Sequence, residues 1–274
     1  MISMEIFEFG FMQRALIAGI AISSVCSIIG LFLVLRRQSL FGDSLAHMAF
    51  GGLAIGLFTN TYPLWTALVA SILASVGITK LRHSTNIPAD SAVAIMLSAG
   101  LALGVLLLSL SGGFSVDLFG FLFGNILLIS FEDTLLILVI TAVVLTSVSI
   151  LYRQFLYITF DEEQAKVSGI NVMRLNYLFI ILASLTVIAS MRLVGILLIS
   201  SLIVMPNITA MMLGRGFKRT ALISVVVSVV SVICGITSSY IFNSAPSGTI
   251  VLISISIFLL TYIAKYAKKR QSRI

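Results

Sequence analysis

Charge is what this sequence has least of. Only 10% of its 274 residues are charged, while 59% are hydrophobic and the mean hydropathy is +1.16. A soluble domain carries about 25% charged residues, and a water-facing globule of this length cannot be coated with so few. Soluble enzymes, disordered chains and disulfide scaffolds are excluded together. Cysteine is nearly absent as well. Cys26 and Cys234 stand alone inside apolar runs, without the spacing of a disulfide framework or a zinc knuckle. Histidine occurs only at His47 and His83, so there is no His-rich acceptor loop. No GxxxxGK[ST] phosphate-binding loop occurs, so energy for any work must come from a gradient or a partner. The net charge of +7 comes without a soluble domain to display a basic face, which excludes nucleic acid as a partner.

What is there is apolar sequence in long runs. A helix crossing the hydrocarbon core needs about 20 mainly apolar residues. Runs of this kind occupy approximately 11–35, 41–60, 64–80, 90–111, 131–152, 175–191, 193–213, 220–242 and 249–265. The expectation is an all-α polytopic membrane helix bundle of about nine transmembrane helices, in one domain over residues 1–274 within a lipid bilayer. Eight spans result if 175–213 is one long bent helix. The segment 114–130, which holds Asp117 and Asn125, reads as a short surface or re-entrant helix pair. Glu5 and Glu8 stand where a signal peptide would be basic, so the first run is expected to be retained.

Nine alternating spans put most basic residues on one side: Arg36, Arg37, Lys80, Arg82, Arg153, Lys166, Arg174, Arg215, Lys218, Arg219 and the tail cluster from Lys265 to Arg273. Only Arg14 and Arg192 fall opposite. By the positive-inside rule the N-terminus is outside and the C-terminus cytoplasmic. The longest polar stretch, about 153–174, is then a cytoplasmic loop. Gly-x3-Gly pairs at Gly52/Gly56, Gly100/Gly104 and Gly120/Gly124 permit close helix approach.

Most acids sit at span ends. Asp90 follows Pro88 at a helix start, and Glu132 and Asp133 occupy a first turn, where the helix dipole favours negative charge. Asp43 and His47 differ: four residues apart in LFGDSLAHMAFGG, they share one helical face. Carboxylate and imidazole so arranged can hold one divalent cation; zinc takes both at about 2.0–2.2 Å, and manganese and iron(II) accept the same pair. Two ligands leave the shell open, so a second subunit, another helix or water must supply the rest. The alternative is structural, with Asp43 capping its helix and His47 a hydrogen-bonded core residue. Pro206, followed by Asn207 and Thr209, marks an expected helix break with an unwound polar turn at membrane depth. A proton-coupled secondary transporter using Asp43 and His47 as a relay, and an intramembrane hydrolase using Ser200 or Ser201, are the readings from other classes.

Five stretches in chain order carry a resemblance: LRRQSLFGDSLAHMAFGGLAIG, VDLFGFLFGNIL, TFDEEQAKVSGINV, MRLVGILLISSLIVMPNITA and APSGTIVLI. Together they resemble the metal-type permease subunits of ATP-binding-cassette importers, which carry zinc, manganese or iron into bacteria, and the wording around Asp43 is closest to the zinc branch. The resemblance implies a non-enzymatic permease subunit in the bacterial cytoplasmic membrane. It implies a homodimeric pore, separate cytoplasmic ATPase subunits and an extracytoplasmic metal-binding protein. It implies no permanently bound cofactor, with Zn2+, or Mn2+ or Fe2+, as cargo. Asp43 and His47 match the family positions for metal handling. The loop carrying Phe160, Asp161, Glu162, Glu163, Gln164, Ala165 and Gly169 matches the helix that docks into the ATPase. Its acids suit a helix N-terminus and its glycine a C-terminal end. Two residues depart from the zinc pattern: Ser98 stands where relatives often have His, and Asn243 where Asp is usual.

Overall fold

The computed structural model describes residues 10–85, 88–111, 116–124, 129–196, 199–214 and 216–271, and among them all regular structure is helical. In chain order the helices are α1 (Gly10–Leu35), α2 (Phe41–Phe58), α3 (Pro63–Thr85), α4 (Ala89–Leu110), α5 (Val116–Phe123) and α6 (Phe131–Ile150). They continue with α7 (Tyr152–Phe160), α8 (Glu162–Val167), α9 (Val172–Val194), α10 (Ile199–Met211), α11 (Phe217–Phe242) and α12 (Pro246–Gln271). Eight of them, α1–α4, α6, α9, α11 and α12, are long and apolar enough to cross a membrane. The remaining expected span, the seventh in order at 193–213, is α10, with 13 residues. Such a helix is about 20 Å long, short of a hydrocarbon core of about 30 Å. Asn125 and Arg215 lie outside the described residues, as do the side chains of Asp117, Arg82, His83 and Arg192. Of the helix pair expected in 114–130, one short helix, α5, is described.

Contacts give the bundle two ends. Phe11, near the start of α1, meets Tyr240 near the end of α11 with ring centroids 6.5 Å apart. At the other end Phe32 meets Phe155, Phe179 and Phe217 at 5.3–6.2 Å, joining α1, α7, α9 and the start of α11. The Lys265 ammonium near the end of α12 donates to the Met212 carbonyl, just after α10. The start of α1 and the end of α12 therefore sit at opposite ends of the bundle. Eight simple crossings would put them together; the chain reverses direction once more through the shorter α10.

The expected break at Pro206 is not where the chain opens. Helix α10 runs continuously through Pro206 to Met211. Proline removes one N–H bond, but the Asn207 amide donates to the Ile203 carbonyl at 2.7 Å and the Thr209 hydroxyl to Met205 at 2.8 Å, so the following polar residues stay inside the helical turn. The opening comes earlier, at Gly195, where φ is +80°. Gly124 of the α5 end, with φ +71°, packs against it; a Cβ on Gly195 would stand 2.5 Å from the Gly124 nitrogen, and one on Gly124 would stand 2.3 Å from the Leu193 carbonyl oxygen. Only glycine suits both the left-handed backbone and the contact.

Burial sorts the helices. Of an apolar 18-residue stretch in each helix, 72% of the residues are buried in α2 and 67% in α1, against 17% in α12 and 22% in α3. Helices α1, α2 and α9 form the middle, while α3, α4, α6 and α12 turn apolar side chains such as Leu73, Leu106, Ile150 and Leu260 outward, as lipid requires. Inside, Ser27 donates to Ser224 at 2.7 Å, and Ser224 to the Asn207 oxygen at 2.6 Å, tying α1, α11 and α10. Interhelical hydrogen bonds of this kind in a membrane contribute ~0.6 kcal/mol each.

Candidate functional site

Helix α2 begins in a tight corner. After α1, Arg37 takes φ +57°, and the Gln38 and Phe41 amides donate to Leu33 and Gln38 at 2.9 and 3.0 Å. Leu40, the residue before α2, has a helical backbone (ψ −7°) and no side-chain cap. Asp43 follows in the first turn and His47 one turn later, roughly 6 Å along the axis at 1.5 Å per residue. His47 Nε2 lies 3.9 Å from Asp43 Oδ1. That is too long for a hydrogen bond. It does suit one ion touching both, since two bonds of about 2.0–2.2 Å sum to slightly more. The other imidazole nitrogen, Nδ1, is buried without a hydrogen-bond partner. No side-chain cap bond forms at the start of α2, and His47 Nδ1 makes no hydrogen bond.

Three neighbours set the position of the pair. The Ser71 hydroxyl of α3 donates to the Leu45 carbonyl at 3.5 Å. From α4, Gly100 lies so close that a Cβ there would stand 2.5 Å from the His47 carbonyl. Ile203 of α10 covers Gly42. The Gly52/Gly56 pair faces α3 at Thr66, Ala67 and Pro63, and Gly104 faces Phe50 of α2, so two of the three glycine pairs clamp the helix that carries Asp43. Among the described residues no group of three or more His, Cys, Asp or Glu comes together. Within one chain the pair offers two candidate ligand side chains, Asp43 and His47. Ser98 is exposed on α4, and Asn243 ends α11 in a left-handed conformation (φ 48°), which asparagine tolerates as a helix terminator.

The polar loop is a built structure. The Phe160 side chain ends α7 and is 67% exposed. Asp161 then caps α8, accepting from the Gln164 amide at 2.9 Å. Glu162 and Glu163 fill the first turn, and Glu162 pairs with Lys166 at 3.1 Å. Ala165 is buried, Val167 is 89% exposed, and Gly169 (φ +79°) closes the helix as Ile170 donates to the Ala165 carbonyl. Asn171 caps α9 by accepting from Arg174 at 3.2 Å. Every residue expected in the loop therefore lies within α7 or α8 or at the boundary of one of them.

Sequence reasoning counted Arg36 only as a topology marker. The structure brings it into the bundle: Nε donates to the Thr159 hydroxyl at 3.1 Å, Nη1 to the Asn176 oxygen at 3.0 Å, and the guanidinium lies 4.6 Å over the Phe179 ring. Burial pushes its pKa down to about 10 and Glu162 draws it back up, so it stays charged near neutrality. The one sequence signal was its place four residues after Phe32, on the aromatic face; the adjacent Arg37 looks the same in composition.

Relatives agree with this architecture. The ABC 3 transport family model matches residues 8–265. The chain is 33% identical over 256 residues to the manganese transport system membrane protein MntC of Listeria innocua, covering 93% of this chain and 91% of that protein. It is 31% identical over 247 residues to the high-affinity zinc uptake system membrane protein ZnuB of Haemophilus influenzae, covering 90% and 95%. Its fold is similar to a chain of PsaBC from Streptococcus pneumoniae in complex with Fab, with a TM-score of 0.86, 32% identity and coverage of 96% and 95%. The chain belongs to the ABC 3 transport family, as the multi-pass, non-enzymatic permease subunit of an ATP-binding-cassette metal importer.

Proposed function

We propose that this permease passes a divalent first-row transition metal, manganese or zinc, across the bacterial cytoplasmic membrane by way of Asp43 and His47. The observation that carries the reading is the imidazole of His47, with one nitrogen buried and unpartnered and the other facing a carboxylate at a distance one ion can bridge. A carboxylate oxygen from Asp43 and an imidazole nitrogen from His47 are a combination that zinc and manganese both accept. In a homodimer a second copy contributes its own pair, and water completes the shell. A site of few, weak ligands releases its ion again, as a pathway requires. Manganese is supported by the names of relatives from Listeria, Halalkalibacterium and Streptococcus. Zinc is supported by the Haemophilus relative and by the wording around Asp43.

Orientation follows from charge. Arg36, Arg37, Arg153, Lys166, Arg174, Lys218, Arg219 and Lys265 gather at one end of the bundle, which in this reading is cytoplasmic, leaving the N-terminus outside and the C-terminus inside. The exposed Phe160 and Val167 flank α8 on that side and form the surface an ATPase subunit would cover. An extracytoplasmic metal-binding protein would deliver the ion at the opposite end. Pull-down of the tagged permease tests the assembly, with an ATPase expected to copurify and Val167→Glu expected to weaken its retention. A permease that runs alone, with uptake following proton motive force after ATP depletion, contradicts the reading. Rescue of an uptake-deficient strain by manganese alone or by zinc alone names the cargo.

A further inference from the structure

Arg36 is the only described side chain at which the metal-site corner, the loop helices and a central span converge on one charged group. It closes α1 seven residues before Asp43, across the tight corner in which Gln38 and Phe41 are held by backbone bonds. Its guanidinium reaches Thr159 at the end of α7 and both Asn176 and Phe179 of α9, and it feels the charge of Glu162 on α8. Beneath it Phe32, Phe155, Phe179 and Phe217 pack ring against ring, so the ends of α1, α7, α9 and α11 are joined by direct contact. One nitrogen, Nη2, is buried with no partner. An arginine serving only to glue helices would have little reason to retain an unsatisfied donor; a shift of α8 that draws Glu162 from Lys166 would supply a carboxylate to it.

We propose that Arg36 is the positioning residue that ties α7, which runs directly into the loop helix α8, and α9 to the α1–α2 corner, so that displacement of the loop by its partner resets Asp43 and His47. The inference rests on the loop docking an ATPase, as read above. Arg36 does not touch the metal. It delivers movement, because a planar fork fixed to two helices transmits rotation where a single-point ammonium does not.

The test uses the complete transporter, permease with its ATPase and binding protein, in liposomes, reading manganese and zinc uptake and ATP hydrolysis in the same vesicles. Arg36→Lys keeps the charge and loses the fork; Thr159→Val removes one acceptor and preserves shape. With assembly intact, hydrolysis should stay within about twofold of the parent while metal moved per ATP falls about tenfold in Arg36→Lys and less in Thr159→Val. An unchanged ratio in both variants overturns the proposal, as does a parallel fall in uptake and hydrolysis, which is the signature of a merely structural role. If Arg36→Lys does not assemble, the ratio in Thr159→Val decides. A parent permease that binds no ATPase would instead overturn the reading of the loop, and the coupling role with it.

Discussion

Two aspartates occupy the same position in two helices, and their fates are opposite. Asp133 is the third residue of α6 and Asp43 the third residue of α2. Asp133 is locked: its carboxylate accepts from the Ser130 amide at 3.1 Å and hydroxyl at 2.9 Å, while its own amide donates back to Ser130. This is a capping box. Asp43 follows Leu40, which has no hydroxyl and whose helical backbone could not present one. Its carboxylate is left to face His47. The position and the residue type are the same; what differs is the residue three places earlier. A helix-dipole argument alone would have filed both acids as structural.

Substitutions can break this comparison. The largest effect is expected at the open pair. Asp43→Asn or His47→Ala should lower metal uptake by about a hundredfold in assembled transporter, with little change in thermal stability. Radiolabelled metal uptake alongside size-exclusion profiles checks it, and near-parental uptake by both variants would return the pair to the structural class. Next comes Gly100→Val, which drives a side chain into the His47 backbone. It should destabilise by ~1–3 kcal/mol and lower uptake even where the protein still assembles, because α2 is displaced at the site. Uptake that follows protein abundance alone would show that the position of α2 does not matter there.

The smallest effects belong to the closed pair. Ser130→Ala should cost ~1 kcal/mol of stability, within the usual range for a lost cap, and leave uptake per assembled transporter unchanged. A fall in specific uptake would place Asp133 in the pathway too, and the contrast with Asp43 would dissolve. Asn207→Leu sharpens the same point inside the bundle. It removes the bond from Ser224 and should destabilise by ~1–2 kcal/mol in thermal unfolding, without the uptake loss expected at Asp43.

Much of this molecule is legible in its sequence because lipid simplifies the code. Apolar runs bounded by Arg36, Pro63, Pro88 and Pro246 become helices with nearly the expected limits, and Glu132 and Asp133 fall in the first turn of α6 as expected, though the capping partner Ser130 is not read from the sequence. The Asp43 and His47 pairing is legible from the i, i+4 spacing. The rest depends on contacts across the fold. Pro206 is the usual marker of a broken helix, yet the break falls at Gly195, because Gly124, some seventy residues away in sequence, needs the close approach. The shortness of α10 follows from that break and could not be read from an apolar run that continues through it. Arg36 carries no local mark that separates it from Arg37; only the folded positions of Thr159, Asn176 and Phe179 do.

The central claim is that Asp43 and His47 handle the metal while Asp133 holds a helix. The most direct measurement is ATP-driven uptake of manganese and zinc into liposomes holding the complete transporter, with Asp43→Asn and Asp133→Asn compared at equal assembled amounts. The account predicts uptake lost in the first and retained in the second. Equal uptake in the two variants would contradict it.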